Sequence, residues 1–303
     1  MFRFFFVSIA LCVSLVAKDF RVAAYNVENL FDMQYNASEY KEYIPNAKSG
    51  WTQDMYNKKL SNLAKVIAVI DADIIALSEV ESKQALYDLN EALGVKKYPY
   101  IFIQKTRANI KNALLSRYKI QKSKEHFVKG FSRSISELSL LVEQNELKLY
   151  LNHWPSYNFA NESRLEYVKV LQKILKKKDE YIILGDLNSP LQIQKDGWGI
   201  GVNELVKNTQ SLNLWLELTP QKRYSHVYKS NKKALDHIIL SSNMQDGKKI
   251  EYKPKSFGVF APDFVLDAKK RPYRWQISNS GKGKHLGDGF SDHLAIYADF
   301  SIY

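Results

Sequence analysis

Apolar residues along this chain recur in two rhythms, and stretches of each rhythm interleave. Short runs rich in β-branched, leucine and aromatic residues stand at 20–27 (FRVAAYNV), 72–81 (ADIIALSEVE), 113–120 (ALLSRYKI) and 138–144 (LSLLVEQ). Others follow at 148–156 (KLYLNHWPS), 181–189 (YIILGDLNS), 233–241 (KALDHIILS) and 293–300 (HLAIYADF). Runs of this length and composition predict strands, several of them buried on both faces. Helical spacing replaces the strand pattern after Thr52, where Leu60, Leu63, Ala64, Ile67 and Ile70 share one side. A second helix is expected at Gln84–Leu93 and a third at Ser163–Lys178, whose Lys176–Lys178 run would suit the negative end of a helix dipole. A polar loop is expected from Asp32 to Gly50. Strands alternate with helices, yet several strands succeed one another without a helix between them. That combination predicts mixed sheets in an α/β protein, and no linker, repeat or low-complexity tract divides residues 18–303.

The first residues break the pattern. Arg3 is followed by a largely apolar stretch from Phe4 to Ala17, too short to span a bilayer comfortably and shaped like a secretory leader. Residues 1–17 are therefore expected to be a signal peptide, leaving one domain at 18–303, a periplasmic or secreted location and no stable membrane anchor. Cys12, the one cysteine of the chain, lies inside that leader. An exported chain without disulfides must be held by its core alone, and 45% hydrophobic residues supply one. Charge adds a hint about partners: 44 basic against 32 acidic residues give a formal +12, which favours anionic ligands such as nucleic acid.

Polar groups cluster where the predicted strands end. Asn26 and Glu28 follow one strand, as do Glu79, His153, Asp186 with Asn188, and Asp236; Asp292 and His293 precede the last. Strand termini carrying carboxylates, amides and imidazoles suggest one crevice. Oxygen ligands without cysteine suit a hard cation, Mg2+ or Mn2+, and such an ion neutralises a phosphoryl group. A carboxylate to orient water and an imidazolium or amide to meet phosphate oxygens complete the needs of metal-assisted phosphoester hydrolysis.

The ordered motifs YNVENLFD (25–32), DIIALSEVE (73–81), LNHWPS (151–156), ILGDLNS (183–189), LDHIILS (235–241) and GFSDHLAIY (289–297) together resemble the endonuclease/exonuclease/phosphatase, or DNase I-like, superfamily. The resemblance runs from about residue 20 to the end and implies a four-layer α/β sandwich, two packed mixed β-sheets flanked by helices. It also implies roles. Glu79 would be the main metal-binding residue, with Asp292, Asn26 and Glu28 around the ion. Asp186 would orient or activate water, Asn188 and His153 would contact the phosphate, and His293 would be the catalytic histidine oriented by Asp236. His237, one step along the strand from Asp236, points the other way. Glu81 shares the face of Glu79 but lies beyond reach of the ion. Asn112, in NIKNALLSRYKI, is the candidate for a further group near the scissile phosphate. Relatives carry arginine after WPS where this chain has Tyr157; Arg164 farther on would either contact substrate or cap its helix.

Nucleic acid is the expected substrate, most directly DNA, cleaved by a monomeric enzyme. KKRPYRW (269–275) mixes cations with rings, so Arg271, Arg274 and Trp275 could grip a backbone or stack on a base. Two alternatives remain open: a phosphoesterase for lipid headgroups or small molecules, for which SFGVFAPDFVL (256–266) would serve as a membrane-touching loop although its apolar pattern favours a buried strand and turn, and a non-catalytic nucleic-acid-binding protein.

Overall fold

The computed structural model describes residues 18–303, so the leader expected at 1–17 lies outside the described residues. The first strands are β1 (Lys18–Leu30), β2 (Ile74–Val80), β3 (Tyr100–Ile103), β4 (Lys111–Ser116) and β5 (Lys119–His126). Then come β6 (Ile135–Val142), β7 (Asn145–His153), β8 (Tyr181–Asp186), β9 (Leu212–Asn213) and β10 (His226–Tyr228). The chain closes with β11 (Asn231–Lys233), β12 (Asp236–Leu240), β13 (Ile250–Tyr252), β14 (Gly258–Val259) and β15 (Ile296–Ile302). Helices α1 (Gln53–Ile70), α2 (Lys83–Ala92), α3 (Asn161–Ile174) and α4 (Ile200–Thr209) lie between them.

All of these strands except β10 and β11, which pair only with each other as a small antiparallel hairpin, build two mixed sheets. One has the order β13-β15-β1-β2-β4-β3, with β14 also on β15; the other runs β5-β6-β7-β8-β12-β9. The β1–β2 and β7–β8 pairs are parallel, while their neighbours are antiparallel. The chain changes sheet within ALLSRYKI: β4 ends at Ser116 in the first sheet and β5 starts at Lys119 in the second.

Period-two alternation explains the layers. Val22, Ala24, Ile74, Ala76 and Leu114 of the first sheet face Leu149, Leu151, Ile182, Leu184 and Ile238 of the second, forming a dry inter-sheet core. The opposite face of the first sheet (Ala23, Tyr25, Ile75, Leu77) packs on Leu60, Leu63, Ile67 and Ile70 of α1 and on α2. The outer face of the second (Tyr150, Ile183, Ile239) packs on Tyr167, Val168 and Leu171 of α3 and on Val202 and Leu205 of α4. The result is the expected four-layer α/β sandwich.

Helix starts follow local chemistry. Thr52 and Ser82 each accept a hydrogen bond from the backbone N–H three residues on, capping α1 and α2. One local expectation is corrected, one helix is added, and the favoured packing of 256–266 is found. Helix α3 ends at Ile174 with Leu175 already extended, so Lys176–Lys178 occupy the turn into β8 rather than the last helical turn. Helix α4 was not anticipated. The 256–266 segment is no projecting loop: Phe257 is buried and Phe260 and Phe264 pack against the core around Phe290.

Candidate active site

The inter-sheet core ends in polar side chains at one edge of the sandwich. Beyond Val22 and Ala24 the core-facing position of β1 is Asn26, and beyond Ile74 and Ala76 of β2 it is Ser78. Across the gap, Leu151 gives way to His153, Leu184 to Asp186, and Ile238 is preceded by Asp236. Register then sets neighbours: Asp186 pairs with His153 on one side and Asp236 on the other. The same alternation that fills the core therefore delivers the site.

Glu79 needs more than alternation. The β1–β2 and β2–β4 ladders shift register at Asn26/Leu30 and Leu77/Val80, and Glu28, Asn29 and Glu79 have φ of 49°, 57° and 72°. Left-handed backbone is costly for residues with a Cβ, and bulges of this kind re-aim side chains beside active sites. Here the bulge turns Glu79 toward the inter-sheet gap. The Asn26 amide donates to Glu79 Oε1 (3.0 Å) and to Asp186 Oδ2 (3.1 Å), joining the two sheets. The N–H of Asn29 donates to Glu79 Oε2 (3.0 Å) and that of Asn188 to Asp186 Oδ1 (2.9 Å).

The Ser-Asp-His turn docks through Ser291, whose hydroxyl donates to the Asn26 carbonyl (2.7 Å) and accepts from the N–H of His293 (3.1 Å). Nδ1 of His293 lies 2.6 Å from Asp236 Oδ2, leaving Nε2 3.9 Å from Asp186 and 4.0 Å from Asp292. Nε2 of His153 is 3.7 Å from Glu79 and 3.8 Å from Asp186.

Charge states follow from burial and neighbours. Burial opposes charge on His293, but the Asp236 carboxylate overrides it and holds the imidazole well above its ordinary range. Burial pushes Asp186 up to about 7, against the pull of His293. Burial, with Arg133 and His293 nearby, keeps His153 well below the usual range and so neutral. Asp292 is held below the ordinary carboxylate range: burial works against it, and His293, His226 and Arg274 outweigh burial.

A divalent ion fits this donor set. Glu79, His153 and Asp186 each offer a ligand atom within 4.8 Å of the others, as do His226, Asp292 and His293. Glu79 has no lysine or arginine partner among the described residues, and the Asp236 Oδ1 and His153 Nδ1 atoms are buried without partners. Uncompensated carboxylates and orphaned polar atoms at one edge mark a place prepared for something else.

Several expected site residues stand elsewhere. Glu28 is closed off: Oε1 accepts from Arg274 Nε (3.0 Å) and Oε2 from the Trp275 N–H (3.0 Å), so neither oxygen is open to an ion. Trp275 cannot stack on a base, because it is buried with its indole N–H on His285. Arg271 pairs with Asp267, away from the site. Arg274 remains at the rim, 3.9 Å from Asp292. Arg164 contacts no substrate: it is buried, and its guanidinium donates to the carbonyls of Asn188, Ser156, Phe159 and Ala160. Asn112 sits on the core-facing side of β4, receiving a bond from Ser78 while its own amide N–H groups find no partner.

Sequence reasoning missed His226. Its ring lies 4.8 Å from that of His293, its backbone bridges to the same residue, and Nε2 is 3.9 Å from Asp292. The chain has 6 histidines, and one lying nine residues before LDH was the available signal. Lys59 was also missed; it is buried under the site and donates to the Glu28 carbonyl (2.6 Å).

The profile of the Endonuclease/Exonuclease/phosphatase family matches residues 21–301. Among solved structures, a humanized D. rerio TDP2 superposes with a TM-score of 0.62 at 15% identity, covering 93% of this chain and 98% of that one. D. rerio TDP2 complexed with a single strand DNA product gives 0.61 at 14%, covering 93% and 98%. An endonuclease/exonuclease/phosphatase from Beutenbergia cavernae gives 0.64 at 12%, covering 94% of this chain and 72% of its own. At such identities the superpositions establish the fold alone. No curated protein matches the chain.

Proposed function

Because this chain belongs to the endonuclease/exonuclease/phosphatase family, whose members hydrolyse phosphoesters, we propose that it is an exported, divalent-metal-dependent nuclease cleaving the phosphodiester bonds of DNA. The observation that carries the proposal is the meeting of the Asp236–His293 pair with the Asn26-bridged carboxylates Glu79 and Asp186 at one edge of the two sheets. A Mg2+ or Mn2+ ion held by Glu79, with Asp292 beside it, would neutralise the phosphoryl group and the leaving oxygen. Asp186, with a pKa near 7, orients the attacking water and takes its proton. Oδ1 of Asp186 is fixed by the Asn188 N–H and Oδ2 by the Asn26 amide, so the carboxylate is pre-oriented. His293, kept protonated by Asp236, presents Nε2–H to a nonbridging phosphate oxygen. Neutral His153 and the amide hydrogen of Asn188 not given to the Trp154 carbonyl would serve the same oxygens.

DNA as substrate is supported by the excess of 12 positive charges, by Arg274 at the rim, and by the DNA product bound to a protein of the same fold. Export is supported by the leader pattern at 1–17; among the described residues no helix is long and apolar enough to cross a membrane. The lipid-headgroup alternative drew on residues 256–266, and their packing against the core removes that argument. The test is supercoiled plasmid with residues 18–303 and Mg2+ or Mn2+, beside EDTA and Asp186→Ala controls. Nicking abolished by both controls is expected; an intact plasmid in every lane would turn the proposal toward small phosphoesters.

A further inference from the structure

Two loops leave the site from adjacent parallel strands, one after His153 and one after Asp186. They are joined by the buried Arg164, which donates to Asn188 O in one loop and Ser156 O in the other. On these loops the protein exposes aromatic rings. Tyr157 is 55% and Phe159 54% exposed, and Trp198 is partly exposed. Tyr157 packs against Trp198 with ring centroids 4.6 Å apart. The Trp198 indole N–H donates to Asn188 O (2.6 Å), placing that ring two residues from Asp186 in contact terms. The Tyr157 hydroxyl donates to Asp196 (2.8 Å), which fixes its tilt. A cation stands near the pair: Lys233 Nζ lies 5.8 Å from the Trp198 centroid. Beside Gln194 and Lys233 opens a cavity of about 580 Å³ with Arg223 and Lys232 on its wall.

Exposed rings are an unfavourable use of surface unless something covers them, and rings held in fixed tilt beside a cavity whose wall carries Arg223, Lys232 and Lys233 match a polymer of flat bases on an anionic backbone. We propose that Tyr157, Phe159 and Trp198 form a stacking platform for unpaired nucleobases, holding single-stranded nucleic acid alongside the scissile phosphate. The inference rests on the nuclease reading and deepens it, since a duplex would keep its bases inside the stack.

The chain provides its own reporter. Of 5 tryptophans, Trp51, Trp154, Trp215 and Trp275 are buried, so quenching of indole fluorescence by an added ligand reports on Trp198. In EDTA, a short oligo-thymidylate should quench that emission and shield it from acrylamide. An abasic oligonucleotide of equal length and charge should bind on the order of tenfold more weakly and quench little, because stacking is absent. The Tyr157→Ala/Phe159→Ala variant should erase the difference between the two oligonucleotides while keeping the wild-type melting temperature. Equal quenching by both oligonucleotides, or none by either, overturns the platform. If plasmid nicking persists in that event, only the platform falls; if nicking is also absent, the nuclease reading falls with it.

Discussion

Replacing Asp236 by Asn removes one negative charge from the site and changes little else in shape, so it isolates what that charge does for His293. The Nδ1–Oδ2 contact is 2.6 Å long, with Asp236 fully buried and His293 nearly so. Solvent therefore screens it weakly. A hydrogen bond to a charged group contributes about 1.5–3 kcal/mol, and the attraction of unit charges some 4 Å apart at an effective dielectric of 20 is about 4 kcal/mol. If the imidazolium is the form that meets the phosphate, Asp236→Asn should lower kcat/KM by about 2–4 kcal/mol of transition-state stabilisation, roughly 30- to 1000-fold. The pH profile carries the sharper signature. Asp236 holds the His293 pKa up; without it burial prevails, and the imidazole loses its proton at lower pH. The alkaline fall in rate should therefore move toward acid in the variant. Rates on bis(p-nitrophenyl) phosphate from about pH 5.5 to about pH 9.5, with the melting temperature as a control for folding, decide the matter. A variant within threefold of wild type and with an unmoved profile would falsify the assignment of His293 as an imidazolium held by Asp236.

Other outcomes follow from single contacts. Mn2+ at about a hundred times its dissociation constant should stabilise the wild type by about 2.7 kcal/mol, read as a thermal shift, and Glu79→Gln should abolish that shift; an equal shift in the variant would remove Glu79 from the ion. His237 accepts from the Asn213 amide at Nδ1 and donates to Ser189 O from Nε2, and burial lowers it from 6.5 to about 4. Its contribution is therefore complete above about pH 6.5 and lost as pH falls toward 4, of order 3 kcal/mol; urea unfolding near neutrality and near pH 4.5 should show wild type losing that much more than His237→Gln, and parallel losses would refute it. Arg164→Ala leaves several buried carbonyls without donors and should cost about 3 kcal/mol or more in urea unfolding, with Arg164→Lys recovering little because an ammonium cannot fork between two loops; full recovery by Lys would argue against that geometry.

Most of the site was legible because it continues the strand alternation. Asn26, His153, Asp186 and Asp236 extend core-facing registers that the apolar residues before or after them announce. What was not legible lay where local pattern gives no signal. Glu28 and Glu79 read alike, as acids after apolar runs, yet bulged backbone sends one toward Asn26 and Asp186 and leaves the other closed by Arg274 and Trp275. Arg164 was open between a substrate contact and a helix cap, because Tyr157 stands where relatives carry arginine; only the two loops it joins explain its burial. Helix α4 carries Val202 and Leu205 at helical spacing, but Gly197, Gly199 and Gly201 gave its start the look of a loop. Trp275 resembled a base-stacking ring until His285 supplied a buried partner for its N–H.

The Asn26 amide reaches a carboxylate of its own sheet and one of the opposite sheet. Reactive groups hung from two separately twisted surfaces take their spacing from the thickness of the apolar layer between them. A substitution at Leu149 or Ala24, far from any substrate, would therefore alter the distance between Glu79 and Asp186 before it altered the fold. Catalysis in such a protein is a gauge of how well its interior is packed. The residues to watch in a drifting lineage would be the aliphatic ones in the middle, which touch nothing reactive and set where everything reactive stands.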